Sequence, residues 1–207
     1  MTSPLEPYEV QELRHANGIS AEAFTTIVSR AYLRFPERAV TYPRFEEFVR
    51  GEMGHRIVSG HLLDRVFDRQ LRVSESESLP LAFALTALQL TVRDSAEERA
   101  RALLRIAAIE QRSSVNADGL GHESLEALVG DLQRTCQLSV EKQVAETGVR
   151  YPYKTHRPKT PADLVAKARG RLSPVPAGDR FSEAEALAML LGPEICLWGE
   201  CYRGNND

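Results

Sequence analysis

The residues whose types most suggest a binding function lie between Arg150 and Arg171, where cationic side chains are interspersed with aromatic rings. This stretch, called here the basic segment, has seven Lys or Arg residues and one acid, whereas the whole chain has a formal net charge of −3. Cations neutralise phosphates while aromatic rings stack, so the segment could bind single-stranded nucleic acid or an anionic membrane. We favour instead a solvated loop that contacts an acidic surface, either of this chain or of a partner protein, because no RNA-recognition motif accompanies it. The side chains predicted to contact a partner are Arg150, Tyr151, Tyr153, Lys154, Arg157 and Lys159.

The side chains that could bind a metal or act in catalysis do not have the spacing that would bring them together in a metal site or an active site. His55 and His61 are six positions apart and would point from different faces of a helix. Glu46 and Glu47 are adjacent, so on a helix their side chains would diverge by about 100° and could not form an acid–base pair. Cys136 falls on an apolar helical stripe and is predicted to pack in a core. Since the sequence also has no glycine-rich phosphate loop, we expect neither an enzyme nor a metal or cofactor site.

The composition is typical of a folded globular protein in a reducing compartment. The chain has 207 residues, of which 43% are hydrophobic and 27% charged. Its three cysteines are odd in number and too few for a disulfide framework. The first ten residues do not resemble a signal peptide, and polar residues interrupt the longest apolar run, residues 79–92. We therefore expect a cytoplasmic protein without a transmembrane segment.

Apolar residues recur at intervals of three and four along most of the chain, which predicts an all-α fold. Ser20, Ser95 and Ser182 each precede such a run and are predicted helix N-caps. No run alternates apolar and polar residues over a full strand, so strands should be at most very short bridges between loops. The predicted helices cover residues 20–34, 43–53, 61–67, 95–109, 121–136 and 182–191.

Polar and proline-rich stretches between these helices indicate the domain organisation. Residues 74–78 are an acidic, polar loop, and residues 171–179 are a break rich in Pro and Gly. We expect an N-terminal helical lobe over residues 1–94, a C-terminal lobe over 95–198 with an extended Pro/Tyr-rich insertion at 148–161, and a flexible tail over 199–207.

The entrance to the second predicted helix has a distinctive pattern. Val40 ends a loop, four residues lead into the helix, and Phe45 then opens its apolar face. This pattern resembles the second half of an EF-hand, in which the eighth loop residue forms a small β-bridge with a partner hand. The resemblance implies a glutamate at the twelfth loop position of a calcium site, but Arg44 stands there.

A second entrance of this kind begins at Leu120, and weaker copies follow Val73 and Phe181. With Leu120 at the eighth position, the first, third, fifth and twelfth loop positions are Ser113, Val115, Ala117 and Ser124. These residues do not form a set of calcium ligands. The remaining calcium alternative is a non-standard site near Asn116 and Asp118.

These entrances together make most of residues 20–191 resemble a degenerate, calcineurin B-like array of EF-hands. The helical region that precedes the TLDc domain in TLDc-family proteins is similar, although this chain contains no recognisable TLDc segment. The resemblance implies a non-catalytic, calcium-independent protein-interaction domain that serves as an adaptor or complex subunit.

EF-hand pairs without metal can hold an apolar groove that takes a partner's amphipathic helix. The residues predicted to line such a groove are Phe45, Phe48, Leu125, Leu128 and Val129. Trp198 belongs either to a last core element or to a docking peptide, because large aromatic residues are enriched at the centres of interfaces.

Overall fold

The fold is built from helices, with strands confined to helix entrances. The structure, a computed structural model, describes residues 19–53, 78–89, 92–111, 119–134 and 160–195, together with His15. In chain order its elements are α1 (Ala21–Arg34), β1 (Ala39–Thr41), α2 (Tyr42–Met53), β2 (Ser78–Pro80), α3 (Leu81–Leu88), α4 (Ala96–Glu110), β3 (Leu120–Gly121), α5 (His122–Arg134), α6 (Pro161–Gly170), β4 (Arg180–Phe181) and α7 (Glu183–Leu191). The prediction of an all-α fold with very short strands is confirmed over these residues.

Three helices begin at the serines predicted to cap them. The hydroxyls of Ser20, Ser95 and Ser182 each accept a hydrogen bond from the backbone N–H three residues later, at 3.1, 3.2 and 3.3 Å respectively. Such a bond satisfies one of the N–H groups that the first helical turn leaves unpaired, and its loss typically costs about 1 kcal/mol. The predicted starts of α1, α4 and α7 are therefore confirmed.

Helix α6 begins at Pro161, the last residue of the segment predicted to be extended, and none of the predicted helices covers it. The rest of that segment, up to residue 159, lies outside the described residues. Thr160 and Asp163 form a capping box at the start of α6, in which each side chain accepts a hydrogen bond from the other residue's backbone N–H at 3.1 Å. Pro161 occupies the first helical position, where a missing N–H has no cost. The C-terminal part of the basic segment is thus helical.

The short strands form two antiparallel pairs, and each pair joins the segments that lead into two helices. Strand β1 is antiparallel to β2, with Val40 opposite Leu79, and β3 is antiparallel to β4, with Leu120 opposite Phe181. Each strand directly precedes a helix or stands one residue before it, so each pair holds two helix N-termini side by side. Val73, from which a weaker entrance was predicted, lies outside the described residues, and the residue that faces Val40 is Leu79.

The buried apolar side chains of the described residues form two groups, and α4 contributes to both. The first group comes mainly from α1, α2 and α3, and the second from α5, α6 and α7. Ala102 and Ile106 of α4 pack in the first group, whereas Leu103 and Leu104 pack in the second. Helix α4, which the sequence analysis assigned to the C-terminal lobe, therefore has one face in each core.

The turn into β3 requires a glycine. Gly119 has a φ of 72°, a left-handed conformation that is costly for residues with a Cβ. A Cβ at this position would lie 2.5 Å from the backbone oxygen of Phe181. Gly119 thus allows the backbones of β3 and β4 to approach closely.

Candidate interaction cleft

A surface cleft of about 230 Å³ lies between α3, α4 and α5. Its apolar lining consists of Ala82, Ile106, Ala107, Ala127 and Leu128. In the described part of the chain, the lining also contains three carboxylates, those of Glu110, Glu123 and Asp131, and no Lys, Arg or His. We call this feature the acidic cleft. It combines an apolar floor with negative charge, which suits a ligand that has an apolar stem and a positive end.

Helix α5 supplies one wall of the acidic cleft through a regular stripe. Glu123, Ala127 and Asp131 follow one another at intervals of four residues, so they lie on one face of the helix. Glu123 and Asp131 are eight residues apart, which corresponds to about 12 Å along the axis. Glu123 and Ala127 are exposed, so this wall is accessible from solvent.

Glu110, the last residue of α4, is fixed by two residues from α1 and the loop after it. The Tyr32 hydroxyl donates to Glu110 Oε1 at 2.6 Å, while Arg38 Nη1 lies 3.3 Å from Oε2 and donates to the Glu110 main-chain oxygen at 3.0 Å. Burial, and then the hydrogen bond to Glu110 and its negative charge, raise the pKa of the Tyr32 phenol well above its usual value. Tyr32 therefore stays a neutral donor that holds this carboxylate at one end of the cleft.

A hydrogen bond between α4 and β3 sets the position of α5 relative to α4. The side chain of Gln111, the C-terminal cap of α4, accepts a bond from the backbone N–H of Gly121 at 2.8 Å. Helix α5 begins at the next residue, His122, whose own backbone N–H donates to the Asp179 oxygen at 2.8 Å. The α4 and α5 walls of the cleft are thus joined at their near ends.

Most of the residues predicted to line an apolar groove are packed inside the protein. Phe45, Leu125 and Val129 have no exposed surface, and Leu128 is 4% exposed at the border of the acidic cleft. Phe48 is half-buried and packs edge-on against Phe35, with ring centroids 5.5 Å apart. The reason is that apolar spacing of three and four marks the face of a helix that is buried, whether a core or a partner buries it. In this arrangement of helices, Leu128 is the member of the set that borders a cleft.

The described part of the basic segment is largely engaged within the protein. Arg169 donates to the backbone oxygens of Pro176 and Gly178 at 2.7 and 3.0 Å and lies over the Phe181 ring. Arg171 forms an ion pair with Glu194. The residues of this segment that are predicted to contact a partner all lie outside the described residues, as does Trp198; they are Arg150, Tyr151, Tyr153, Lys154, Arg157 and Lys159. Two of the segment's cations therefore stabilise the fold around α6 and β4.

Arg44, at the loop position that a glutamate occupies in a calcium site, makes contacts within the protein. Arg44 lies over the ring of Phe35, 5.3 Å from its centroid, and pairs with Glu37 at 3.3 Å. Among the described residues, no group of three or more His, Cys, Asp or Glu side chains is placed to hold a metal ion. Asn116 and Asp118 lie outside those residues.

Sequence reasoning did not identify the acidic cleft, although part of its pattern was visible. The stripe of Glu123, Ala127 and Asp131 could have been found from its spacing of four. Its meeting with Glu110 could not, because that depends on how α4 and α5 pack.

None of the helices in the described part of the chain has the length and apolarity that a membrane crossing requires. No protein-family model matches the chain, and no curated protein or solved structure is significantly similar to it.

Proposed function

We propose that this protein is a non-catalytic, calcium-independent interaction domain, acting in the cytoplasm as an adaptor or complex subunit, and that the acidic cleft is part of its binding surface. The observation that carries the proposal is the cleft itself, an apolar floor bordered by Glu110, Glu123 and Asp131. Its volume of about 230 Å³ is below the roughly 300–1,000 Å³ of pockets for drug-sized ligands. A side chain of a protein partner suits such a cleft better than a whole metabolite does.

The paired helix entrances support a degenerate EF-hand-like architecture as part of this proposal. Val40 and Leu120, the residues on which the resemblance rests, both lie in short strands that pair antiparallel with a second entrance. With Phe181 at the eighth position of its loop, Glu185 stands twelfth, but its carboxylate accepts bonds from the Ser182 backbone N–H and hydroxyl at 2.7 and 2.8 Å. That glutamate is thus used to cap α7, as Arg44 is used to pair with Glu37.

The alternative function, binding of nucleic acid or an anionic membrane through the basic segment, has less support. Arg169 and Arg171 are bound to groups of the protein itself. Lys167 is exposed on α6, so a phosphate-binding surface would depend on it and on residues 150–159. A protein partner is therefore the favoured ligand class.

Affinity capture from native extract, repeated in calcium and in chelator, tests the proposal when each captured molecule is then purified and titrated against the full chain. We expect a protein that binds the purified chain with the same affinity in both conditions. A matched variant with alanine at Arg150, Lys154, Arg157 and Lys159 identifies the contribution of the basic segment. Strict dependence on calcium would contradict the proposal, and so would recovery of only nucleic acid or lipid that this variant no longer binds.

A further inference from the structure

We infer that the acidic cleft binds a Lys or Arg side chain presented by an amphipathic helix of a partner protein. This inference rests on the proposed function and specifies the chemistry of the partner. It is carried by three properties of the cleft: its charge, its shape and the spacing of its carboxylates.

The charge of the cleft favours a cation. Among the residues that the structure describes, its lining contains Glu110, Glu123 and Asp131 and no basic residue. Glu110 also ends α4, where the aligned peptide dipoles add a partial negative charge of roughly half an electron. Arg38 contacts Glu110 from the loop after α1, whereas Glu123 is exposed at the opposite wall. Because Tyr32 and Arg38 already contact both carboxylate oxygens of Glu110, an incoming cation meets chiefly the carboxylates of α5, of which Glu123 is exposed.

The shape of the cleft fits a long side chain with an apolar stem. The apolar part of its lining includes Ala107, Ala127 and Leu128. Lys and Arg lay their methylene groups on such surfaces while the charged end stays near carboxylates and water. A short polar cation would leave this apolar floor exposed, so the stem contributes to selection.

The spacing of the carboxylates on α5 indicates a helical partner. Glu123 and Asp131 are separated by about 12 Å along the helix, and the small side chain of Ala127 between them allows another backbone to approach. A helix that lies along α5 would match this separation with two cations seven or eight residues apart, because that interval spans about 10–12 Å. Single cations on a disordered chain would not be held at both sites together.

The test measures binding of two synthetic amphipathic helical peptides to the full chain by fluorescence anisotropy in chelator. One peptide has Arg at two positions seven residues apart, and the other has Glu at both. The first variant combines Glu123→Gln with Asp131→Asn, and Glu47→Gln is its control because Glu47 is exposed on α2, away from the cleft. The second variant, Ala127→Trp, fills the cleft without removing a charge, and Ala166→Trp is its control on an exposed position of α6.

We expect the Arg peptide to bind and the Glu peptide not to bind. Each carboxylate should contribute about two- to fivefold to binding of the Arg peptide, so the variant that lacks both should bind it about four- to 25-fold more weakly. Added salt should weaken binding of the Arg peptide to the original chain. Ala127→Trp should abolish binding, whereas both control variants should bind as the original chain does. Thermal unfolding of each variant establishes that it remains folded.

Equal binding of the two peptides, no binding of the Arg peptide, or binding that Ala127→Trp leaves unchanged would overturn the inference. The proposed function has a separate outcome. A native partner that binds in chelator and still binds the Ala127→Trp variant would support an interaction domain while excluding the cleft as its site. Failure to find any native protein partner, together with the expected peptide results, would leave the chemistry of the cleft supported and the adaptor function contradicted.

Discussion

Replacement of Gly119 by alanine is the perturbation whose cost the structure defines most closely. Gly119 has a φ of 72°, and a Cβ there would lie 2.5 Å from the backbone oxygen of Phe181 and 3.1 Å from its carbonyl carbon. The left-handed conformation alone costs a residue with a Cβ about 1–2 kcal/mol. The overlap is with backbone, so β3 must also move away from β4, at the cost of about one hydrogen bond, or about 1 kcal/mol. We expect Gly119→Ala to lower the free energy of unfolding by about 2–3 kcal/mol.

Urea unfolding followed by circular dichroism measures this loss, and two further variants separate its causes. Gly51 lies in α2, and a Cβ there would meet open space, so Gly51→Ala should raise the free energy of unfolding by about 0.5–1 kcal/mol. Asparagine tolerates left-handed backbone better than alanine does but still carries a Cβ. Gly119→Asn should therefore recover only part of the loss. An unchanged midpoint for Gly119→Ala, or full recovery with asparagine, would refute the close approach of β3 and β4 as the cause.

Two further predictions concern pH. Burial and Glu110 raise the pKa of the Tyr32 phenol. The folded state therefore keeps the phenol proton above about pH 10, whereas the unfolded chain loses it there. The free energy of unfolding should fall as the pH rises through that region. Tyr32→Phe should make this alkaline loss, measured by urea unfolding at several pH values, less steep, and an equally steep loss would contradict the burial of the phenol. The hydrogen bonds from Ser182 lower the pKa of the Glu185 carboxyl, so its contribution is present above its unfolded pKa of about 4.3 and is lost as pH falls below it. Glu185→Gln should flatten the acid side of the stability profile relative to Glu47→Gln, and identical profiles for the two variants would show that the α7 capping box does not act through charge.

The features that sequence predicted correctly depend on short-range chemistry. Ser20, Ser95 and Ser182 act within four residues of their own positions, so the caps and the helices that follow could be recognised directly. The signal for α6 is equally local, a threonine followed three residues later by Asp163, but the prolines around it favour extended chain and obscure it. The pattern for this helix is thus present in the sequence, although none of the predicted helices covers it.

The features that sequence did not predict depend on contacts between distant segments. The sequence pattern predicts that Val40 lies in a β-bridge, yet nothing near it indicates that Leu79 is its partner. The acidic cleft likewise requires Glu110 and Asp131 to converge from two helices, and concavity has no periodic pattern in a sequence. Leu125, which was predicted to line a groove, is buried in the core. Its spacing along the helix indicates that it is buried but does not indicate whether the core or a partner buries it.

The position of α4 between the two apolar cores has a consequence for how the protein responds to a ligand. Neither core can lose α4 without exposing Ile106 in one and Leu104 in the other, so the two halves should unfold in a single cooperative transition. The acidic cleft lies along the C-terminal half of this same helix. A ligand bound there at a hundred times its dissociation constant would add about 2.7 kcal/mol to the free energy of unfolding. Because the helix is shared, that increase would protect residues of both cores from hydrogen exchange, including those of α1 and α7 that the ligand never touches.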